Sequence, residues 1–185
     1  AELGSPLVPS ELIAPWHLET GVMLEGTSQP GSRPRMVEIT RIEDMAPSDY
    51  RSQATPFSEL VSIDPIERFR LETESHIVEP RVAELIAPLG KGQRCLIVSP
   101  PKAGKTTLLQ QIAHAIAINH PDTTIFVLLI DERPEEVTDW KRNIIQGAVF
   151  ASSSDQSVES HIQVSEMVME RSRRLVELGR NVVVF

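Results

Sequence analysis

From about residue 79 to the end of the chain, helix-like spacing of apolar residues alternates with short, unbroken apolar runs. The unbroken runs predict buried strands, because strands covered on both faces lose the apolar–polar alternation. These strands are expected at 95–98, 125–130 and 182–185, with a shorter one near 148–150. The helical spacing predicts helices at about 80–86, 104–119, 134–146 and 158–178. Strands that alternate with helices predict βαβ units, a mostly parallel sheet and an α/β fold.

The first 46 residues have a different pattern, in which glycine and proline separate short apolar stretches. Strands are predicted at 22–24 and 36–39, joined by a glycine- and proline-rich connection, and one helical turn is predicted after Pro9. Residues 47–78 have little periodicity and predict a connector with short ordered pieces. The expected organisation is therefore a small β unit at 1–46, a connector at 47–78 and an α/β domain at 79–185.

Composition and charge narrow the class of protein. The 185 residues are 41% hydrophobic and 24% charged, which is typical of a globular protein. The single cysteine, Cys95, excludes an intrachain disulfide, and no apolar run approaches the ~18 residues of a membrane span. A cytoplasmic protein with no membrane partner is therefore expected. Because the chain begins at Ala1 and ends inside an apolar run, we expect a fragment of a longer protein.

The net charge of −8 is unevenly distributed. Residues 1–89 contain 15 acidic and 7 basic residues, whereas residues 90–185 contain 11 of each. The first lysine is Lys91. An anion-binding site is therefore expected in the second half of the chain, and RNA binding by the first half is expected to be weak.

The segment from Ser99 to Thr106 matches a phosphate-binding loop between a strand and a helix. The pattern G-x-x-x-x-G-K-[ST] is met at every position except the first, where Ser99 replaces glycine. Backbone N–H groups at such a helix N-terminus bind phosphate oxygens. In this pattern Lys105 reaches the β- and γ-phosphates, and the Thr106 hydroxyl is a ligand for Mg²⁺.

Asp131, Glu132 and Arg133 follow the predicted strand at 125–130. The carboxyl ends of parallel strands meet at one crevice, so this segment is expected to face the phosphate loop. Glu132 is predicted to orient and deprotonate an attacking water, in preference to acting only on the helix dipole. For Glu135 and Glu136, which follow Pro134, the helix-dipole role is preferred.

The remaining candidates are interpreted mainly as structural residues. A solvated helix face is favoured for the arginines near the last helix, and a subunit or nucleic-acid contact is the alternative; these are Arg171, Arg173, Arg174 and Arg180. Cys95 is predicted to be a small buried residue and Trp140 a packing residue. The five histidines have no metal-ligand spacing.

Three segments, in this order and spacing, closely resemble the bacterial Rho family of transcription termination factors. They are Gly90–Arg94, the loop Ser99–Thr106, and Leu128–Thr138 with its Asp-Glu-Arg-Pro-Glu-Glu-Val-Thr sequence. Weaker matches at 9–13, 18–21 and 25–26 resemble the second half of the family's cold-shock-like, OB-type RNA-binding domain. The resemblance covers about residues 5–185 and implies a RecA-like ATPase core preceded by a partial OB unit.

The resemblance also implies the roles of particular residues. Glu132 corresponds to the family's catalytic carboxylate and Lys105 to its phosphate-loop lysine, with Thr106 as the Mg²⁺ ligand. Cys95 departs from the glycine usual at its position. The implied ATP contacts are Gly90, Lys91, Gly92, Gln93, Arg94, Cys95, Lys102, Ala103, Gly104, Lys105, Thr106, Thr107 and Arg133.

The implied activity is that of a homohexameric, ATP-dependent RNA helicase and translocase that acts on nascent single-stranded RNA and RNA polymerase. By resemblance, the family's RNA-stacking motif would precede residue 5 and its Walker B aspartate would follow Phe185. The chain alone is therefore expected to be inactive in turnover. The alternatives are another RecA-like ATPase, such as a rotary ATPase subunit or a replicative helicase, and a non-catalytic nucleotide-binding module.

Overall fold

A computed structural model describes residues 5–185 and contains six α-helices and five strands in this part of the chain. The helices are α1 (Ser10–Ile13), α2 (Pro47–Gln53), α3 (Glu79–Ile86), α4 (Lys105–Asn119), α5 (Pro134–Asn143) and α6 (Val158–Glu177). The strands are β1 (Leu24–Gln29), β2 (Arg35–Ile42), β3 (Thr124–Glu132), β4 (Ala148–Ser153) and β5 (Val182–Val184). Short 3₁₀ turns occur at Ala14–Trp16 and Phe57–Glu59.

The chain forms two compact units. The first contains the residues up to Leu60 together with Met169–Gly179, and the second contains Val61–Val168 with Arg180–Phe185. The change of unit thus falls inside the segment that the sequence predicts as a connector, and the second half of α6 belongs to the first unit. The proposed domain boundaries at 46 and 78 stay a prediction.

In the first unit, β1 and β2 form an antiparallel pair around a small core. Ile42 and Tyr50 are buried, and partly buried apolar side chains from the N-terminal segment pack against them. Gly26 lies so close to β2 that an added Cβ would be 2.0 Å from the Glu38 carbonyl oxygen. The strand predicted at 22–24 is shifted: β1 begins at Leu24 and continues to Gln29. The helical turn predicted after Pro9 forms as α1.

In the second unit, three parallel strands are ordered β4–β3–β5. The central strand β3 is buried on both faces, as its unbroken apolar run predicts: Ile125, Phe126 and Val127 are all buried. Residues from α4, α5 and β3 share one apolar core. Trp140 of α5 is buried in this core, which confirms its predicted packing role. The α/β class with a parallel sheet is therefore confirmed.

The predicted buried strand at 95–98 is wrong. Within residues 5–185, no backbone–backbone hydrogen bond joins this segment to a neighbouring strand. An extended segment without such a partner leaves its N–H and C=O groups to water, so its apolar run is not sufficient to form a strand. Leu96 and Val98 are consequently exposed, and Cys95 is exposed rather than buried.

Smaller differences concern helix ends and faces. Helix α5 ends at Asn143 rather than near 146, because Gln146 and Gly147 begin the turn into β4. Helix α3 forms where predicted, but Leu85 and Ile86 on its expected apolar face are exposed.

Candidate functional site

The phosphate loop lies at the N-terminus of α4. Two residues with left-handed backbone shape it, with φ of 62° at Lys102 and 90° at Gly104. Gly104 is the N-cap residue of α4, and no side chain caps this helix end. An added Cβ at Gly104 would meet no atom within 4 Å, so the space beside the loop is open. The arrangement leaves the first N–H groups of a 15-residue helix directed at solvent, as an anion site requires.

Glu132 is placed at the carboxyl end of β3 by a local irregularity. The register between β3 and β4 shifts between Ile130 and Glu132, and Asp131 has a φ of 59°. This backbone conformation is uncommon outside glycine but is better tolerated by aspartate than by most residues. The bulge re-aims the side chain that follows it. The Ser154 N–H donates a 3.2 Å hydrogen bond to the Glu132 carbonyl oxygen and ties the strand end to β4.

The electrostatic environment of Glu132 links it to the phosphate loop. Burial raises the pKa of this carboxyl, and the negative charge of Glu136 with a hydrogen bond between the two carboxyl groups raises it further. Asp131 acts in the same direction, whereas the Lys105 ammonium lowers the pKa. Lys105, at the start of α4, and Glu132, at the end of β3, therefore interact electrostatically. Glu136 also has a direct partner in Glu132, beyond its expected role at the N-terminus of α5.

The segment Gly90–Cys95 contains a turn that lines the same cavity as the phosphate-loop lysine. The Gly90 N–H donates to Gln93 Oε1 at 2.8 Å, and Lys91 Nζ lies 2.5 Å from a carboxylate oxygen of Glu67. A cavity of about 480 Å³ contacts this turn, the phosphate-loop lysine and β5. The predicted nucleotide-contact residues that line it are Gly90, Gly92, Gln93, Cys95 and Lys105.

The other predicted contacts lie near the crevice but outside this cavity lining. Thr106 is half-buried in the first turn of α4, whereas Lys102, Ala103 and Thr107 are exposed along the loop. Arg133 is exposed at the N-cap of α5. Lys91 and Arg94 are not in the cavity lining. The assignment of all these residues as ATP contacts stays a prediction.

The interpretation of the arginines on α6 as a solvated face is wrong for two of them. The Arg174 side chain is 4% exposed, and its guanidinium contacts Glu19 and Glu177. Arg171 is paired with Glu43, which is completely buried. Glu19 and Glu43 are distant in sequence and Glu177 lies on α6 itself, so the helical spacing of apolar residues does not reveal these pairs. Arg173 is 46% exposed and bonds to Glu170, as a surface residue would.

Sequence reasoning also missed a buried polar cluster at the end of β4. Ser152 is completely buried, and its hydroxyl lies 2.6 Å from His161 Nδ1 and 2.8 Å from Gln156 Oε1. Serine is mostly exposed in proteins, so its complete burial at a strand end is not expected from sequence. A buried strand that ends in a run of serines, followed by a histidine in the next helix, is the one signal that the sequence offers.

Comparison with known proteins places this geometry in a family. A model of the ATP synthase alpha/beta family, nucleotide-binding domain, matches residues 80–185, which is more than half of the chain. The chain belongs to this family. The match begins at α3 and includes the phosphate loop, Glu132 and the whole parallel sheet.

Several individual relatives carry one name. The chain is 45% identical over 183 residues to a transcription termination factor Rho of Streptomyces coelicolor, a match covering 99% of this chain and 43% of that protein. It is 45% identical over 184 residues to a protein of the same name from Aquifex aeolicus, covering 96% of this chain and 42% of the relative. The Micrococcus luteus protein of this name is 48% identical over 149 residues, covering 80% and 21%.

These matches confirm the resemblance to Rho and favour it over the rotary ATPase and replicative helicase alternatives. The chain spans less than half the length of the curated relatives it matches. Among residues 5–185, no helix has both the length and the apolar character needed to cross a membrane.

Proposed function

We propose that this chain supplies the phosphate-binding loop and the water-activating carboxylate of an ATPase. The observation that carries the proposal is the juxtaposition of Lys105, at the uncapped N-terminus of α4, with Glu132, at the end of the central strand. The family match supports nucleotide binding by this part of the chain. A cation and a carboxylate that share one crevice satisfy the two electrostatic needs of phosphoryl transfer to water.

The residues present fit Mg²⁺-ATP. The open space beside Gly104 and the free N–H groups of α4 suit phosphate oxygens, and the half-buried Thr106 hydroxyl suits a metal that prefers oxygen ligands. When bound, Mg²⁺ neutralises phosphate charge. Lys105 would hold the β- and γ-phosphates, while Glu132 would orient water and accept its proton. Its raised pKa makes Glu132 a stronger base than an ordinary surface glutamate.

We further propose that the full-length protein is a cytoplasmic, homohexameric, RNA-dependent ATPase that terminates transcription by acting on nascent RNA and RNA polymerase. The name shared by the relatives supports this proposal, since it states transcription termination. The present chain would bind RNA weakly. Tyr50 is buried and so cannot stack on a base, and the first 89 residues contain no lysine.

Nucleotide binding is tested by titrating the chain with a fluorescent ATP analogue. Lys105→Ala is expected to weaken binding strongly, because it removes the cation facing the phosphates. Lys141→Ala is the matched control, since it removes an exposed lysine from α5 and should leave the affinity unchanged. Equal affinity of the Lys105 variant and the parent would show that the nucleotide site lies elsewhere.

Turnover is tested by measuring ATP hydrolysis by the full-length protein with and without RNA. Glu132→Gln is expected to retain nucleotide binding and lose turnover. Glu135→Gln removes a neighbouring, exposed carboxylate from the first turn of α5 and should retain turnover. Normal hydrolysis by the Glu132 variant would return that residue to a helix-dipole role. Tight nucleotide binding without hydrolysis by the parent would indicate a binding module.

A further inference from the structure

Backbone hydrogen bonds connect the end of β4 to the end of β3, which bears Glu132. Ser153 is the register partner of Glu132, and the next residue, Ser154, donates its N–H to the Glu132 carbonyl oxygen. The chain then turns, and the Gln156 N–H donates back to the Ser153 carbonyl oxygen at 2.9 Å. The backbone position of Glu132 therefore depends on where this turn lies.

The Ser152 side chain, just before this turn, holds it through hydrogen bonds. It is completely buried, and its hydroxyl contacts His161 Nδ1 at 2.6 Å and Gln156 Oε1 at 2.8 Å. Ser160 Oγ donates to the same Gln156 oxygen at 3.1 Å. A buried hydroxyl with two close partners is held in one orientation, and breaking one contact leaves a buried polar group unsatisfied.

The Ser152 hydroxyl has one proton and three partners, since Ser160 Oγ lies 3.2 Å away in addition to His161 and Gln156. Which group donates in the contact to His161 depends on the imidazole tautomer. When the hydroxyl proton is donated to Gln156 Oε1, the imidazole donates from Nδ1 to the Ser152 oxygen. His161 lies in the first turns of α6, so the bond fixes the end of β4 to the start of this helix.

We propose that Ser152 and His161 are positioning residues, whose buried hydrogen bond holds the end of β4 and thereby fixes Glu132 in the direction needed to activate water. This inference rests on the proposed function, since it assigns a purpose to the pair only if Glu132 acts on water. Neither side chain touches the phosphate loop in the contacts described above. Their effect is expected on the chemical step rather than on nucleotide affinity.

The test compares steady-state ATP hydrolysis and nucleotide binding by variants of the full-length protein. Ser152→Ala and His161→Phe are expected to lower kcat about tenfold or more, with little change in the KM for ATP. His161→Asn keeps an N–H donor near the Nδ1 position and should recover much of the lost turnover. Ser165→Ala is the matched control, because its hydroxyl bonds only to the His161 carbonyl oxygen within the same helix in the contacts described.

A pH profile separates positioning from a general structural role. Glu132 faces Glu136 and Asp131, which raise its pKa, and Lys105, which lowers it. Loosening the strand end should admit water and lower that pKa, so the acidic limb of the kcat profile should move to lower pH. A lower kcat with an unmoved acidic limb would mean that the pair only stabilises the fold, and an unchanged kcat in both variants would also overturn the inference.

The outcomes distinguish this inference from the proposed function. If the unmodified full-length protein shows no RNA-stimulated hydrolysis, the proposed function fails and the positioning role fails with it. If the parent is active and the variants behave like it, only the positioning role fails. Should Ser152→Ala not fold, the comparison of His161→Asn with His161→Phe at a half-buried position still decides the question.

Discussion

The two units of the chain are stabilised in different ways. The second unit has a continuous apolar core, in which Ile112, Ile116 and Ile125 are almost completely buried. The first unit has a small apolar core and, beside it, ion pairs that join Arg171 to buried Glu43 and buried Arg174 to exposed Glu19, both acids being distant in sequence. The stability of the second unit depends on the amount of apolar surface removed from water. The stability of the first unit also depends on each buried charge keeping its partner.

The largest expected effect comes from opening the apolar core of the second unit. Trp140→Ala removes a buried indole from between α5 and the rest of that core and should lower the free energy of unfolding by about 3–5 kcal/mol. Denaturant titration monitored by circular dichroism measures the loss. Trp140→Phe keeps most of the buried surface and should cost distinctly less. A loss below about 1 kcal/mol for the alanine variant would contradict the packing role.

The matching change in the first unit removes a charge rather than a volume. Arg174→Ala leaves Glu177, which is 7% exposed, without its guanidinium partner at 2.9 Å. We expect a loss of about 3 kcal/mol, the lower end of the range for breaking a buried pair, because Glu19 is exposed and can be rehydrated.

A second variant distinguishes pairing from packing at this position. The double change Arg174→Met with Glu177→Gln removes both charges, so it should recover part of the stability lost by Arg174→Ala. Denaturant titration of both variants gives the comparison. If the double variant is less stable than Arg174→Ala, the network contributes through more than the charge pair, and the contrast between the units is weaker than stated.

A smaller effect is expected at a glycine that permits close approach within the first unit. Gly21 has a φ of 92°, and an added Cβ would lie 2.6 Å from the backbone nitrogen of Arg171. Gly21→Ala should therefore push the N-terminal segment away from the ion pairs. Gly179→Ala is the control, since its φ is 71° but a Cβ there would meet no atom within 4 Å. Thermal unfolding should show Gly21→Ala to be about 1–3 kcal/mol less stable than the control, and equal stabilities would contradict the close approach.

The contrast also explains how far the sequence predicts the structure. The positions of α4 and β3 follow from local periodicity, because each element buries most of the residues that its own pattern marks as apolar. Helix α6 also forms where its spacing predicts, but Val158 and Ile162 of its expected apolar face are exposed. The phosphate loop is predictable for a similar reason, since its spacing specifies a local backbone path. Pairs such as Glu43 with Arg171 join residues far apart in sequence, and a single sequence contains no periodic signal for them.

The segment 95–98 shows the opposite failure. Its local apolar run predicts a strand that does not form, because a strand also needs a hydrogen-bonded neighbour, which no local pattern supplies. The Ser152 cluster is unpredictable for both reasons: its burial comes from packing and its partners come from the next helix. At the candidate site, the residues of the loop and of the strand end could be named from sequence, whereas their electrostatic coupling and the support behind Glu132 could not.

The smallest predicted effect concerns stability at the candidate site. Burial and the neighbouring Glu136 raise the pKa of Glu132 above its ordinary value of 4.5. The folded state therefore binds this proton more tightly than the unfolded state, and stability should fall as pH rises from about the unfolded pKa through the raised folded value. Glu132→Gln lacks this titration, so its advantage over the parent should grow across the same window and then level off.

Melting temperatures of the parent and Glu132→Gln between about pH 4 and pH 8 measure this difference. Glu135→Gln, whose carboxylate is exposed, controls for the loss of one negative charge near the N-terminus of α5. A parallel pH dependence for the parent and Glu132→Gln would show that folding does not raise the pKa of Glu132. A stabilised but inactive Glu132→Gln would instead show that the site holds a destabilised carboxylate because its chemistry needs one.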